Sequence, residues 1–172
     1  MRSFISIPMT EDAAQALIRQ QQRLQTGRPV PRENLHLTLA FLDDQPQETL
    51  EDLHEDLLRL RFDPFTLSLS GIGQFGSSIH TTVTASPELT ALQNQISRTA
   101  RHAGIALPRR RFRPHVTIAR LRPNTALILD ESTATLRYPD MLVTQFALYA
   151  STLHPKGARH DCLANYPCSS SV

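Results

Sequence analysis

Residues 34–41 read Asn34-Leu35-His36-Leu37-Thr38-Leu39-Ala40-Phe41, and residues 115–119 restate the centre of that run as His115-Val116-Thr117-Ile118-Ala119. Polar and apolar residues alternate with period two in both, the pattern of a half-buried strand. Side chains on a strand point to alternate faces, so His36 and Thr38 share one face while Leu35, Leu37 and Leu39 share the other. The same split sets His115 and Thr117 against Val116 and Ile118. Each strand therefore presents an imidazole and a hydroxyl together, with an apolar back that packs on a core.

Outward from these strands, residues 2–7 alternate as another strand. Thr10 then caps a helix whose first turn holds Glu11 and Asp12 and whose apolar positions include Leu17, Ile18 and Leu24. Gly27, Pro29 and Pro31 mark the loop before His36. Leu50, Leu53, Leu57 and Leu58 recur at helical spacing between Pro46 and Leu60, opposite Glu51, Asp52, Glu55 and Arg59. Residues 65–70 and 79–85 read as strands joined by a glycine- and serine-rich turn. Ser86-Pro87-Glu88 opens a helix with Leu89, Leu92 and Ile96 on its buried stripe, stopped by Gly104. A strand over 113–121, a weakly patterned stretch over 123–139 and a strand over 142–152 follow. Strands and helices in paired groups, with hairpins, predict an α+β fold rather than a doubly wound parallel sheet.

The chain has 172 residues, 40% of them hydrophobic and 20% charged, which suits one domain over residues 1–168, with 169–172 as a disordered tail. Its apolar runs are too short to cross a bilayer, and the amino terminus lacks the apolar length of a signal peptide, so a cytoplasmic protein that does not contact membranes is expected. Cys162 and Cys168 form no C-x-x-C pattern, and no zinc site or disulfide framework is indicated.

The net charge is only +2, but its distribution is uneven. Arg109, Arg110, Arg111 and Arg113 precede His115, and Arg120 and Arg122 follow it. That stretch suits a polyanion such as RNA, with a solvated basic loop as the alternative.

The paired His-x-Thr strands suit transfer at phosphorus. One group must take a proton from the attacking oxygen and another must give one to the leaving oxygen, and an imidazole does either near neutral pH. Thr38 and Thr117 can donate hydrogen bonds to the non-bridging phosphate oxygens. No cofactor and no metal are expected, because no cluster of His, Cys, Asp or Glu has ligand spacing.

Two near-matches test this reading. His80-Thr81-Thr82 is a third H-x-T, but it lacks the apolar residue between His and Thr and the closing alanine, so it is read as structural or substrate-lining, with RNA contact as its functional role. Gly71-Ile72-Gly73-Gln74-Phe75-Gly76 is formally G-x-G-x-x-G. A strand rather than a helix follows it, and no acid lies about 20 residues on, so hairpin glycines explain it better than a dinucleotide site. G-x-S-x-G, G-x-x-x-x-G-K and H-E-x-x-H motifs are absent.

These residues resemble the 2H phosphoesterases, and within them the bacterial RNA 2′,3′-cyclic phosphodiesterases, also called 2′-5′ RNA ligases. The likeness spans nearly the whole chain. It also draws on the block from Gly27-Arg28-Pro29-Val30 to Phe41, the Phe112-Arg113-Pro114-His115 lead-in, Arg120, and the strand Phe146-Ala147-Leu148-Tyr149-Ala150-Ser151. The resemblance implies a two-lobed, pseudo-twofold fold, with antiparallel sheets, helices packed outside and one H-x-T motif on either side of a central cleft. It implies His36 and His115 as the acid–base pair, Thr38 and Thr117 as phosphate-binding groups, and Arg120 as a further basic contact. Strict alternation would turn Arg120 away from His115 unless the strand ends or bends.

Two positions depart from the family's pattern. His80-Thr81-Thr82 stands where an aromatic residue is common, and Gly157-Ala158-Arg159-His160 stands where a tyrosine usually follows the glycine. The implied reaction is hydrolysis of an RNA 2′,3′-cyclic phosphate end to a 2′-phosphate, by a monomer with no obligate protein partner. Its alternatives are 2′-5′ ligation by the reverse reaction and a non-catalytic RNA-end or nucleotide-binding module.

Overall fold

A computed structural model describes residues 1–129 and 131–169. In chain order the elements are β1 (Arg2–Pro8), α1 (Glu11–Arg23), β2 (Arg28–Pro29), β3 (His36–Asp44), α2 (Gln47–Arg59), β4 (Phe65–Leu67), β5 (Leu69–Phe75), β6 (Ser78–Val83), α3 (Pro87–His102), β7 (His115–Arg120), β8 (Met141–Val143), β9 (Gln145–His154) and β10 (Gly157–Pro167). Short 3-10 turns occupy Arg32–Asn34 and Glu131–Thr135.

The helices start where their caps place them. The Thr10 side chain accepts a hydrogen bond from the Ala13 amide, and Ser86 accepts one from the Leu89 amide with Pro87 in the first turn. Each helix buries one stripe: Ala13, Ala14 and Leu17 on α1, Leu50, Leu53 and Leu57 on α2, and Leu89, Leu92 and Ile96 on α3. Leu58, read with the α2 stripe, is exposed instead, because one residue past Leu57 turns about 100° around the helix.

One antiparallel sheet runs in the order β10-β9-β1-β3-β7-β6-β5, with β2 beside β7, and β4 and β8 form a separate pair. Its two halves, β10-β9-β1-β3 and β7-β6-β5, meet at a single pair, Leu37 opposite Val116. Both residues are fully buried. Each contributes roughly 1.5–3 kcal/mol of apolar burial on the face away from the two histidines. This is the α+β, two-lobed architecture implied by the resemblance.

Four local readings change. The run 157–167 was not read as a strand, yet it forms β10 and pairs with β9 along its length. It is an edge strand with only Tyr166 buried, so it carries no alternating apolar signal. The glycines over 71–76 lie mostly within β5, not in a turn. Gly71 has φ +64 beside a register irregularity, and only Gly76, with φ +56, sits at the hairpin. The strand expected over 142–152 divides at Thr144 into β8 and β9. Of the expected tail, Ser169 donates its amide to the Phe62 carbonyl and accepts from the Phe62 amide, and residues 170–172 lie outside the described residues.

Candidate active site

The two H-x-T strands adjoin. Continuing the Leu37–Val116 register by one residue sets His36 across from Thr117 and Thr38 across from His115. The two histidines are then diagonal neighbours, with backbones roughly 7–8 Å apart. All four side chains are half-buried and line one cleft of about 460 Å³. Among the described residues neither threonine hydroxyl has a partner, so both remain available to a ligand.

Immediately after each H-x-T the strand bulges. In β3, Thr38 pairs with Ser6 and Ala40 with Ile5, leaving Leu39 as the extra residue; in β7, Thr117 pairs with His80 and Ala119 with Ile79, leaving Ile118. A bulge re-aims the side chains beyond it. It brings Arg120 into the cleft lining, which strict alternation would have prevented, and Phe41 enters at the equivalent position of β3. Each bulge carbonyl is held by a glutamine: Gln93 of α3 donates to Leu39 at 3.3 Å, and Gln21 of α1 donates to Ile118 at 2.8 Å. The Arg120 guanidinium also donates to the Ser78 hydroxyl at 2.9 Å.

The rings around the two histidines differ. His36 stacks on Phe4, with centroids 4.9 Å apart, and Phe4 stacks in turn on Tyr149. His160 meets His36 edge-on at 5.5 Å. Burial pushes the His36 pKa down to about 4, aided by the positive charges of His160 and Arg120, while the Asn34 carbonyl opposes the shift by favouring the charged ring.

His115 lies edge-on to Phe75 at 5.0 Å and 5.0 Å from His80. Its Nδ1 is 2.7 Å from the Arg113 carbonyl. A carbonyl only accepts, so Nδ1 carries the hydrogen and Nε2 is the nitrogen that the neutral ring offers to a ligand.

His80 is only 5% exposed and packs flat against Phe75 at 4.3 Å, below the cleft surface. This supports the structural side of its two readings. Burial, then the nearby His115, hold its pKa below the usual histidine range. Arg109, Arg110, Arg111 and Arg113 are exposed and do not line the cleft. Arg113 instead places its guanidinium carbon 6.0 Å from the centre of the Phe75 ring.

The cations that do line the cleft with Arg120 are Arg2, Arg28 and Lys156. Sequence reasoning missed these three, and also Phe41, Phe4 and His160. Arg28 donates to the Lys156 carbonyl across 128 positions of chain, a proximity that only the fold creates. A signal did exist for Arg28, which sits in the Gly27–Phe41 block but was not read as a site residue. Among the described residues no group of His, Cys, Asp and Glu is arranged to hold a metal ion.

The family model described as the 2′-5′ RNA ligase superfamily matches residues 10–154. A relative from Geobacillus stearothermophilus named RNA 2′,3′-cyclic phosphodiesterase is 29% identical over 177 residues, covering 95% of this chain and 56% of its own length. The chain thus spans little more than half of that relative. One of the same name from Escherichia coli is 35% identical over 150 residues, covering 83% of this chain and 80% of the relative. The crystal structure of E. coli LigT complexed with 3′-AMP matches with a TM-score of 0.83 at 27% identity, over 98% of each chain.

Proposed function

This chain belongs to the 2′-5′ RNA ligase superfamily, and we propose that it is an RNA 2′,3′-cyclic phosphodiesterase that opens cyclic phosphate ends to 2′-phosphates. One observation carries the reading: His36, Thr38, His115 and Thr117, from strands 79 positions apart, converge on one face of one cleft.

Water attacks phosphorus, a P–O bond forms, and the ring P–O bond to the 3′ oxygen breaks. One imidazole takes the proton of the attacking water. The other supplies a proton to the departing oxygen, which becomes the 3′-hydroxyl. Thr38 and Thr117 donate to the non-bridging oxygens, whose charge grows in the transition state, and Arg120 adds a positive charge to the same cleft. In 2′-5′ ligation the same groups serve with the 5′-hydroxyl of a second RNA end attacking phosphorus in place of water, the P–O bond to the 3′ oxygen again breaking to leave the 3′-hydroxyl. Arg2, Arg28 and Lys156 take the upstream phosphates of an RNA chain. The enzyme works as a monomer, the cleft being lined from one chain, and in the cytoplasm. No helix among the described residues is long and apolar enough to cross a membrane.

Incubating the protein in ¹⁸O-labelled water with an RNA ending in a 2′,3′-cyclic phosphate tests this. The expected product is a 2′-phosphate end carrying one labelled oxygen. An unchanged cyclic end, or a 3′-phosphate, would contradict it.

A further inference from the structure

Each ring of the histidine pair leans on a second histidine. For His115 that neighbour is His80, sealed beneath the surface. For His36 it is His160, which is half-buried and belongs to the cleft lining itself. The contact is edge to face, with an interplanar angle of 80°.

Two further features hold this contact in place. Phe4 stacks on the face of His36 and meets His160 edge-on at 4.8 Å, so three rings interlock. Asn34 joins the two strands involved: its side-chain amide donates at 2.8 Å to the carbonyl of Ala158, two residues before His160, and its own carbonyl serves the His36 ring. The Nδ1 atom of His160 is buried without a hydrogen-bond partner of good geometry. The packing of the three rings, with the Arg159 carbonyl beside it, thus fixes the orientation of that ring.

We propose that His160 is a positioning residue for the reaction, pressed edge-on against His36 so that the His36 imidazole keeps one plane and one place in the cleft while it exchanges protons. The proposal rests on the phosphodiesterase reading of the same cleft.

The contact also has an electrostatic sign. A positive charge on His160 opposes one on His36, and Arg120 from β7 opposes charge on both rings. Burial holds the His160 pKa below the usual histidine range; the Arg159 carbonyl and, more weakly, Asp161, next along β10, oppose that shift. Tyr149 lies behind Phe4, 6.5 Å from His36, and has a phenol whose pKa burial raises, so it brings no charge near neutral pH. Removing the His160 imidazole therefore makes His36 easier to protonate.

The test uses His160→Phe, which keeps a ring without a titrating group, and His160→Ala, which removes the ring. Two readouts are needed: the titration midpoint of His36 by NMR, and kcat and KM against pH on an RNA with a 2′,3′-cyclic phosphate end. His160→Phe is expected to raise the His36 midpoint, and with it the limb of kcat/KM that follows His36, by about half a unit or more, while kcat near pH 7 stays within about threefold. His160→Ala is expected to lower kcat about tenfold or more with KM changed less than about threefold. An unmoved His36 midpoint in His160→Phe overturns the proposal whatever the turnover, and this arm decides it if His160→Ala does not fold. A wild-type kcat in His160→Ala, or a change confined to KM, also overturns it. If the unaltered protein shows no turnover, the phosphodiesterase reading fails, and the His36 midpoint still decides the coupling between the two rings.

Discussion

A Cβ atom on Gly73 would lie 2.5 Å from Nε2 of His80, so the imidazole of His80 occupies the space that a side chain at 73 would take. The two residues pair across β5 and β6. The same ring packs against Phe75 at 4.3 Å and against His115 at 5.0 Å, which limits its room to shift. Gly73 is therefore a packing glycine within a strand that sets the wall behind His115. In Gly73→Ala the overpacking should destabilise the protein by about 1–3 kcal/mol. Displacement of His80 towards His115 should also lower turnover roughly tenfold, since catalysis is sensitive to small misplacements. Urea unfolding with kinetics checks this, and a variant of wild-type stability and turnover would show that the slot is not tight.

His36 should titrate in the free protein with a midpoint of about 4, because burial first, then His160 and Arg120, disfavour its charged form. The sign for stability follows from an unfolded-state pKa of about 6.5. Above that value neither state is protonated and His36 costs nothing. As pH falls from about 6.5 towards 4 the unfolded chain takes up a proton that the folded one refuses, and stability drops by up to about 3 kcal/mol from this group. Below the folded midpoint the loss levels off. An imidazole NMR titration gives the midpoint directly, and a value near 6.5 would mean that the ring is more hydrated than its packing indicates.

RNA affinity should weaken with salt, and the slope should depend on Arg28 and Lys156 more than on the arginine run. Both line the cleft, whereas Arg109, Arg110 and Arg111 are exposed outside it. Each cation that contacts a phosphate contributes about one unit of slope through counterion release. Arg28→Gln with Lys156→Gln should thus remove up to about two units, and the triple replacement of 109, 110 and 111 distinctly less. If the triple variant loses more, RNA follows the arginine loop instead.

The sequence carried the core of the cleft because a strand encodes its own faces. His36 with Thr38, and His115 with Thr117, needed only the period-two rule, and the repeat of the motif marked the pair. Thr10 and Ser86 were legible for a similar reason, since a cap acts on amides three residues away. His160 was legible only as a departure from the family's pattern, not as a neighbour of His36. It sits on an edge strand whose residues are almost all exposed, so nothing in the local pattern announces the strand, and its contact with His36 spans 124 positions. The aim of Arg120 depended on a bulge at Ile118 that is stabilised by Gln21, a residue about a hundred positions earlier. Gly73 reads from the sequence as a hairpin glycine, and only the position of His80 across the hairpin explains it.

The central claim is that His36 and His115 act as one acid–base unit, and turnover of an RNA 2′,3′-cyclic phosphate by His36→Ala, His115→Ala and their combination tests it most directly. Each single variant should lose at least about a hundredfold in kcat with fold and substrate affinity largely kept, because the imidazoles act on protons that move only in the transition state. The double variant should lose less than the product of the two, as groups that share one step do. Normal turnover by either single variant would contradict the account.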